Sequence, residues 1–297
     1  MRHPRPGLLA RFLMVGVPAF GLLVALGPAA GASTAARVST AARTSATAAS
    51  PSARAAAVAR QSLRHLSIGQ HAADHRVSGP SLRIKGLTQV QSTNWSGYAD
   101  TGSGFSTVTG SWTEPSVSCT STTSLAAFWV GIDGYSSSSV EQDGTLAECY
   151  GGTAYYYTWW EMYPTNSIQV VGSTLHAGDS ITSSVVRSGT SYTLKVTDSS
   201  RSADSFSTTQ TCSGCANSSA EWIAEAPSGS SGVYPLSDFH GWTESGATVK
   251  AGSTSGVISS FSDDEITMIN SSGATKALPG ALNGGGNGFA VTWERSS

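Results

Sequence analysis

The sequence has few histidines and none of the spacings by which histidines hold a catalytic metal. Of its six histidines, only His176 and His240 lie beyond residue 85, and no H-E-x-x-H pattern occurs. A zinc hydrolase needs several closely grouped ligands, so the sequence argues against this class. We therefore expect no metal and no cofactor.

The common motifs of serine and aspartic hydrolases are missing as well. The chain has no G-x-S-x-G elbow and no pair of Asp-Thr-Gly or Asp-Ser-Gly motifs, which an aspartic dyad would need. Serine is so abundant that no single serine with His240 and Asp238 counts as a triad signal. We interpret His240 as a surface or packing residue.

The first 32 residues have the features of a secretory signal peptide. Three arginines precede an apolar run over residues 12–26, and Ala30-Gly31-Ala32 follows as a cleavage-site pattern. The run contains Pro18 and is shorter than the roughly 20 residues that span a bilayer. We predict a secreted, extracellular protein with no membrane attachment after processing.

Residues 33–85 contain no aromatic residue and are rich in Ala, Ser, Thr and Arg, so they have little with which to build a core. Residues 1–85 hold eleven basic residues and one acid, whereas residues 86–297 hold six basic and eighteen acidic residues. The segment is either a solvated linker or a basic propeptide. We favour an inhibitory propeptide that docks on the acidic domain near neutral pH and detaches as carboxylates protonate. The acidic body argues against a nucleic-acid partner.

Residues 86–297 have the length of one domain and carry all eight tryptophans and all four cysteines. An even number of cysteines in an exported chain favours two disulfides, Cys119–Cys149 and Cys212–Cys215. A redox or metal site at Cys-Ser-Gly-Cys is the alternative interpretation. We expect the domain to be a monomer.

Short β-branched and aromatic runs, separated by Gly, Ser, Asn and Asp, predict strands throughout this domain, and no stretch has a helical period. The pattern predicts an all-β protein, an antiparallel β-sandwich or barrel. The predicted strands are Thr107–Thr113, Leu125–Ile132, Tyr155–Tyr163, Ile181–Val186, Tyr192–Val196, Glu221–Glu225 and Phe289–Trp293.

The strand Tyr155–Tyr163 is the richest in aromatic residues. Side-chain alternation puts Glu161 on one face with Tyr155, Tyr157, Trp159 and Tyr163. An acid among four large aromatic residues is costly to bury unless it is hydrogen-bonded. It is either a satisfied carboxylate at a sheet edge or part of an aromatic-lined groove for an extended substrate, and we favour the groove.

Six segments occur in the order seen in the eqolisins, the glutamic peptidases, and the chain resembles this family over about residues 92–245. The resemblance implies a sandwich of two bent antiparallel sheets, similar to the concanavalin-type lectins, and endopeptidase activity on proteins and peptides at acid pH without a metal. The segments are Asn94-Trp95-Ser-Gly97, Trp129-Val-Gly-Ile-Asp-Gly134, Gln142-Asp-Gly144, Trp159-Trp-Glu-Met-Tyr-Pro164, Gly178-Asp-Ser-Ile181 and Ala220-Glu-Trp-Ile-Ala-Glu225.

By position, the resemblance implies that Gln142 and Glu225 are the catalytic pair. Pro227 is expected to end the strand and leave Glu225 at the rim of a groove. Strand alternation puts Glu221 on the same face, so Glu221 is the rival carboxylate. The resemblance also implies that six further residues line or support the cleft: Trp95, Trp129, Asp133, Trp159, Glu161 and Tyr163.

The neighbours of Gln142 depart from the family pattern, which has a hydrophobic residue before the glutamine and a threonine after it. Here they are Glu141 and Asp143. Alternation points both away from the face of Gln142, and we expect them to be solvated.

Two other classes fit the same architecture. The aromatic strand resembles a sugar platform, and Glu161 with Glu225 are two carboxylates of the kind that a glycosidase uses. A lectin-like adhesion module is the second alternative, although it has no need of a processing propeptide.

Overall fold

The computed structural model describes Ala57, Leu63, Leu82–Ile84 and residues 87–297. The predicted signal peptide lies outside these residues. No helix in the described part of the chain is long and apolar enough to cross a membrane.

The described residues form nineteen strands and two 3₁₀ turns. The strands are β1 (Leu82–Ile84), β2 (Leu87–Ser92), β3 (Trp95–Thr101), β4 (Phe105–Thr113), β5 (Ser124–Asp133), β6 (Val140–Tyr150), β7 (Thr153–Tyr163), β8 (Asn166–Gly172), β9 (Ser180–Ser188), β10 (Ser191–Asp198), β11 (Phe206–Thr211), β12 (Ser219–Glu225), β13 (Ser228–Gly229), β14 (Gly232–Val233), β15 (Gly241–Ala251), β16 (Thr254–Gly256), β17 (Ser262–Ile269), β18 (Thr275–Pro279) and β19 (Phe289–Trp293).

Two sheets build the sandwich. The first has the order β8-β7-β6-β5-β12-β3-β17-β2-β1, and its pairs are antiparallel except for the parallel pair β17–β2. The second has the order β11-β10-β9-β4-β15-β16. Strands β18 and β19 extend the first sheet from β17. Strand β15 connects the two sheets, because its first residues pair with β19 and its later residues pair with β4 of the second sheet.

Both faces of the first sheet carry buried apolar clusters. Strand alternation sends Tyr156, Trp160 and Met162 into the core between the sheets, and Tyr157 and Trp159 to the opposite face. On that face lies a second cluster, called here the aromatic cluster. Its buried members are Leu63, Trp95, Ala99, Leu125, Ala127, Trp129, Tyr135, Leu146, Tyr157, Trp159, Ile168, Ile223 and Ile266.

The fold class predicted from the sequence, an antiparallel β-sandwich, is confirmed. The seven predicted strands are present as β4, β5, β7, β9, β10, β12 and β19, with ends that differ by up to two residues. Strand β6, which carries Gln142, has two acids and a glycine within Glu141–Gly144 and so lacks the apolar pattern of a buried strand.

The two predicted disulfides are confirmed. Cys119–Cys149 ties the loop before β5 to the end of β6, with 5.3 Å between the Cα atoms. Cys212–Cys215 closes the turn between β11 and β12, with a Cα separation of 5.8 Å. Glu141 lies beside Cys212 and Cys215, but their sulfurs are bonded to each other and so are not available as thiolate ligands for a metal ion.

The expectation that Glu141 and Asp143 are solvated is wrong. Both point away from the face of Gln142, as alternation requires, but that direction leads into the core between the sheets, where both are fully buried. Burial raises the pKa of Glu141 to about 9 and that of Asp143 to about 8. A hydrogen bond from the Ser183 hydroxyl to the Asp143 carboxylate offsets part of the effect.

The strand pair β1–β2 crosses the predicted start of the mature domain at residue 86. Leu82 pairs with Gln89, and Ile84 pairs with Leu87. The division into signal peptide (1–32), propeptide (33–85) and peptidase domain (86–297) stays a prediction.

Candidate active site

Three adjacent strands place the predicted catalytic residues on one face of the first sheet. On β6, Gln142 lies opposite Gly131 of β5, and Glu221 of β12 lies opposite the same glycine from the other side. Glu225 lies four residues further along β12 than Glu221, opposite Ala127. Residues two apart in a strand share a face, so Gln142, Glu221 and Glu225 all project toward the aromatic cluster.

Glu225 is fully buried, and two side chains of the described residues donate hydrogen bonds to it. Trp129 Nε1 donates to its Oε2 at 2.9 Å, and Asn94 Nδ2 donates to its Oε1 at 3.4 Å. The Ser92 hydroxyl donates to Asn94 Oδ1 at 3.0 Å, which fixes the orientation of the amide so that its NH₂ faces Glu225. These N–H donors hold the carboxyl group in one orientation. Strand β12 ends at Glu225, two residues before Pro227, as predicted.

Gln142 is also fully buried, and its amide is oriented by a neighbouring carboxylate. Gln142 Nε2 donates to Glu161 Oε2 at 2.8 Å. The two residues are directly opposite in the pairing of β6 with β7, which brings their side chains together on one face. The carboxylate accepts only, so it selects the NH₂ end of the amide.

Two glycines leave room for Trp129. A Cβ on Gly131 would lie 2.9 Å from Cζ3 of the Trp129 ring, and a Cβ on Gly144 would lie 2.7 Å from Trp129 Cβ and 2.8 Å from its Cα. Real Cβ atoms do not approach so closely, so a side chain at Gly131 would displace the ring, and one at Gly144 would displace the backbone of β5. Since Gly131 also lies next to Gln142 in the pairing, the indole lies between the glutamine and Glu225.

The predicted cleft residues Trp95, Trp129 and Trp159 are brought together in the aromatic cluster. The rings of Trp95 and Trp129 meet edge to face, with 4.9 Å between their centroids. Glu161 contacts Gln142, and Tyr163 ends β7 on the same face of that strand. Five of the six predicted cleft residues therefore lie on the face that holds Gln142 and Glu225.

Asp133 has a different place from the other predicted cleft residues. It has a positive φ of 72° at the end of β5, so its side chain leaves the regular alternation. Its carboxylate accepts the backbone N–H groups of Asn217 at 2.7 Å and Ser218 at 2.8 Å. Asp133 thus anchors the segment that leads into β12, the strand of Glu225.

The rival carboxylate Glu221 has an environment unlike that of Glu225. Neither of its oxygens has a hydrogen-bond partner among the described residues. Burial raises the pKa of Glu221 well above its usual range. The nearby Ser219 hydroxyl, which lies outside normal hydrogen-bond geometry, lowers it in part, and the charges of Asp133, Glu141 and Asp100 raise it again. Glu221 therefore holds its proton more tightly than an ordinary glutamate, which makes it the poorer candidate for a base in acid.

The sequence did not single out Tyr135 and Asp264, which also belong to this face. The Tyr135 hydroxyl donates to Asp264 Oδ2 at 2.5 Å, and the Tyr135 ring is part of the aromatic cluster. The bond links the loop after β5 to β17. The partners are 129 residues apart in the chain, so no local pattern indicates the contact.

A Ser-His-Asp row lies on the surface. The Ser118 hydroxyl is 3.0 Å from His240 Nε2, and His240 Nδ1 is 3.3 Å from Asp238 Oδ1. The side chain of His240 is 60% exposed, and none of the three residues belongs to either apolar cluster. His240 is therefore a surface residue, as predicted. A protonated imidazole cannot serve as a base in acid.

Comparison with known proteins identifies one family. A profile of the Peptidase A4 family matches residues 93–286. Aspergillopepsin-2 of Aspergillus niger is 28% identical over 197 residues, which cover 58% of this chain and 69% of that protein. Scytalidopepsin B of Scytalidium lignicola is 34% identical over 154 residues, which cover 50% of this chain and 57% of that protein.

The fold matches a solved structure as well. The crystal structure of scytalido-glutamic peptidase with a transition state analog inhibitor superposes with a TM-score of 0.58 and 24% sequence identity. The match covers 68% of this chain and 98% of that chain. At this level of identity the likeness concerns the fold.

Proposed function

Since the chain belongs to the Peptidase A4 family, the eqolisins, and is a glutamic-type endopeptidase, we propose that Gln142 and Glu225 are its catalytic pair and that it cleaves proteins at acid pH. The observation that carries the assignment is the environment of Glu225. Two N–H donors hold its two oxygens, whereas the rival Glu221 has no donor among the described residues.

In this proposal Glu225 is the general base and then the general acid. Its carboxylate takes a proton from water as the water oxygen attacks the scissile carbonyl carbon. The carbonyl π bond becomes the lone pair of an oxyanion. Glu225 then returns the proton to the amide nitrogen as the C–N bond breaks, so that an acid and an amine leave and Glu225 is again a carboxylate.

Gln142 stabilises the oxyanion and holds the attacking water. A glutamine amide has two N–H donors and one carbonyl acceptor, and it does not titrate in acid. Glu161 accepts one of the N–H groups and so sets the direction of the other. A donor of this kind, already oriented before the reaction, contributes about 3 kcal/mol in comparable sites.

Acid pH suits this pair of groups. A carboxylate can act as a base in acid, where an imidazole is protonated. The reversal of charge between residues 1–85 and residues 86–297 supports a secreted zymogen whose basic segment is released when the carboxylates of the mature domain protonate. Substrates are proteins and peptides.

The test uses the full chain, activated by acid, with casein as the substrate. Glu225→Gln and Gln142→Ala should each lose cleavage at pH 3–5, while Glu221→Gln should keep most of it. Circular dichroism at the assay pH verifies that each variant is folded. If Glu225→Gln cleaves casein at the native rate, or Glu221→Gln is the inactive variant, the assignment is wrong.

A parallel incubation with a panel of glycans tests the carbohydrate alternative. We expect no hydrolysis of glycans and no retention on them by a protein that cleaves casein. Glycan hydrolysis that depends on Glu161 and Glu225 would instead favour the glycosidase class.

A further inference from the structure

Leu63 belongs to the predicted propeptide, yet its side chain packs in the aromatic cluster. It is 1% exposed and shares the cluster with Trp95, Trp129 and Trp159. A leucine with so little exposed surface is enclosed by its neighbours. The cluster therefore surrounds a leucine-sized apolar site, filled here by a residue that lies upstream of every strand of the mature domain.

This apolar site shares a residue with the proposed catalytic centre. Trp129 is a member of the cluster, and its Nε1 holds the Glu225 carboxylate at 2.9 Å. Gln142 and Glu225 are themselves fully buried on the face where Leu63 packs, so Leu63 and the proposed catalytic pair share one side of the first sheet.

The charges near Leu63 in the sequence also favour its position on this face. In the sequence, Arg60 and Arg64 lie on either side of Leu63. The face that receives Leu63 carries the carboxyl groups of Glu161 and Glu225. A basic segment with an apolar anchor complements an apolar cleft with acidic groups near neutral pH, and the attraction weakens when those groups protonate.

We propose that Leu63 occupies a side-chain subsite of the peptide-binding cleft, and that after processing this subsite binds bulky aliphatic side chains of substrates. The inference rests on the proposed function. It adds the chemistry of one subsite and names Leu63 as the residue that fills this subsite before processing. Leucine, isoleucine and methionine suit such a site. Aspartate would have to lose its hydration there, and glycine would leave the site empty.

The first experiment measures the initial rate of peptide cleavage by the full chain immediately after acidification, before a gel shows that the propeptide has been removed. The variants are Leu63→Ala, Leu63→Ile and, as a matched control in the same segment, Leu66→Ala. With a quenched fluorescent peptide as substrate, Leu63→Ala should give an initial rate at least about tenfold above the native chain, because truncation of a buried leucine removes its packing. Leu63→Ile conserves the volume and should stay near the native rate, as should Leu66→Ala.

After complete processing, the native chain and all three variants should have the same activity, because the mature domain is identical. An initial rate of Leu63→Ala within twofold of the native rate overturns the inference, and so does an equal effect of Leu66→Ala. If Leu63→Ala yields no folded protein, the peptide series below decides the matter.

The second experiment measures kcat/KM of the processed native enzyme on peptides in which one position at a time is Leu, Ile, Gly or Asp. At one position, Leu and Ile should exceed Gly by at least about tenfold, as expected for loss of an aliphatic side chain from an apolar pocket, and Asp should be poorer still. A series with no aliphatic preference at any position overturns the inference. The proposed function fails separately, if Glu225→Gln remains active on casein.

Discussion

Trp129 Nε1 donates a 2.9 Å hydrogen bond to Glu225 Oε2, and the two residues lie on neighbouring strands of the first sheet. The indole reaches this position over Gly131, which has no side chain to obstruct it. The tryptophan of one sequence motif thus fixes the carboxylate of another that lies 96 residues further along the chain.

Trp129→Phe should lower kcat/KM on peptide substrates by about 10- to 100-fold. The phenyl ring keeps most of the buried apolar surface but removes a hydrogen bond to a carboxylate, and such bonds contribute about 1.5–3 kcal/mol. The matched control is Trp159→Phe, since Trp159 is equally buried in the aromatic cluster and its Nε1 has no hydrogen-bond partner among the described residues. Equal losses in the two variants would show that packing, and not the hydrogen bond, carries the effect.

Glu161→Ala should lower kcat by about tenfold or more with a smaller change in KM. The variant removes the acceptor that orients the Gln142 amide at 2.8 Å, so the oxyanion donor is no longer fixed before the reaction. Glu161→Gln should be intermediate, because an amide oxygen still accepts a hydrogen bond. Glu148, a buried glutamate on the same face that accepts from the Tyr157 hydroxyl, provides the control. If Glu148→Gln reduces kcat as much as Glu161→Ala, the orienting role of Glu161 is wrong.

The folded protein should be most stable in acid and should lose stability as the pH rises from about 4 to about 9. Burial, together with the charge of its neighbour Asp263, raises the pKa of Asp100 to about 9. Glu114, Glu141 and Asp143 have pKa values raised to about 8, 9 and 8. A group with a raised pKa binds its proton more tightly in the folded state. Its stabilisation is complete below the pKa of the unfolded chain and is lost as the pH passes through the folded pKa.

Asp100→Asn tests this dependence at one position. Asparagine has the same shape and no charge to bury, so the stability of the variant relative to the native protein should grow by about 1 kcal/mol per pH unit between pH 5 and 8. Urea unfolding at several pH values measures the difference, with Glu294→Gln as the exposed control. A difference that does not change with pH would contradict the prediction.

The two disulfides should differ in their contribution to stability. Replacement of Cys119 and Cys149 by serine opens a loop with a sequence separation of 30 and should cost about 3–4 kcal/mol of unfolding free energy. The same replacement at Cys212 and Cys215 opens a loop with a separation of 3 and should cost about 1–2 kcal/mol. Urea unfolding of the two double variants at acid pH measures both values. A larger loss at Cys212 and Cys215 would contradict the argument from loop length.

The strands could be predicted because they depend on local patterns of β-branched and aromatic residues. The cysteine pairing could be predicted from the even number of cysteines in a chain that carries a predicted export signal. Alternation in β7 correctly assigned Trp159 and Glu161 to one face and Trp160 to the other. The prediction that Glu141 is solvated was wrong. Alternation gives the direction of a side chain but does not say whether water or a second sheet lies in that direction. The burial of Glu141 depends on strands β9 and β10, which are distant in sequence.

The sequence alone determined the all-β class, the split between a basic segment and an acidic domain, and the candidate residues Gln142 and Glu225, because composition, period-two patterning and motif order are properties of neighbouring residues. Only the tertiary structure decided how the candidates differ. It gave Glu225 the donors Trp129 and Asn94, left Glu221 without a donor among the described residues, and enclosed Leu63 in the aromatic cluster. These relationships join strands far apart in the chain, and their energies depend on the distances and burial that packing of the sheet imposes.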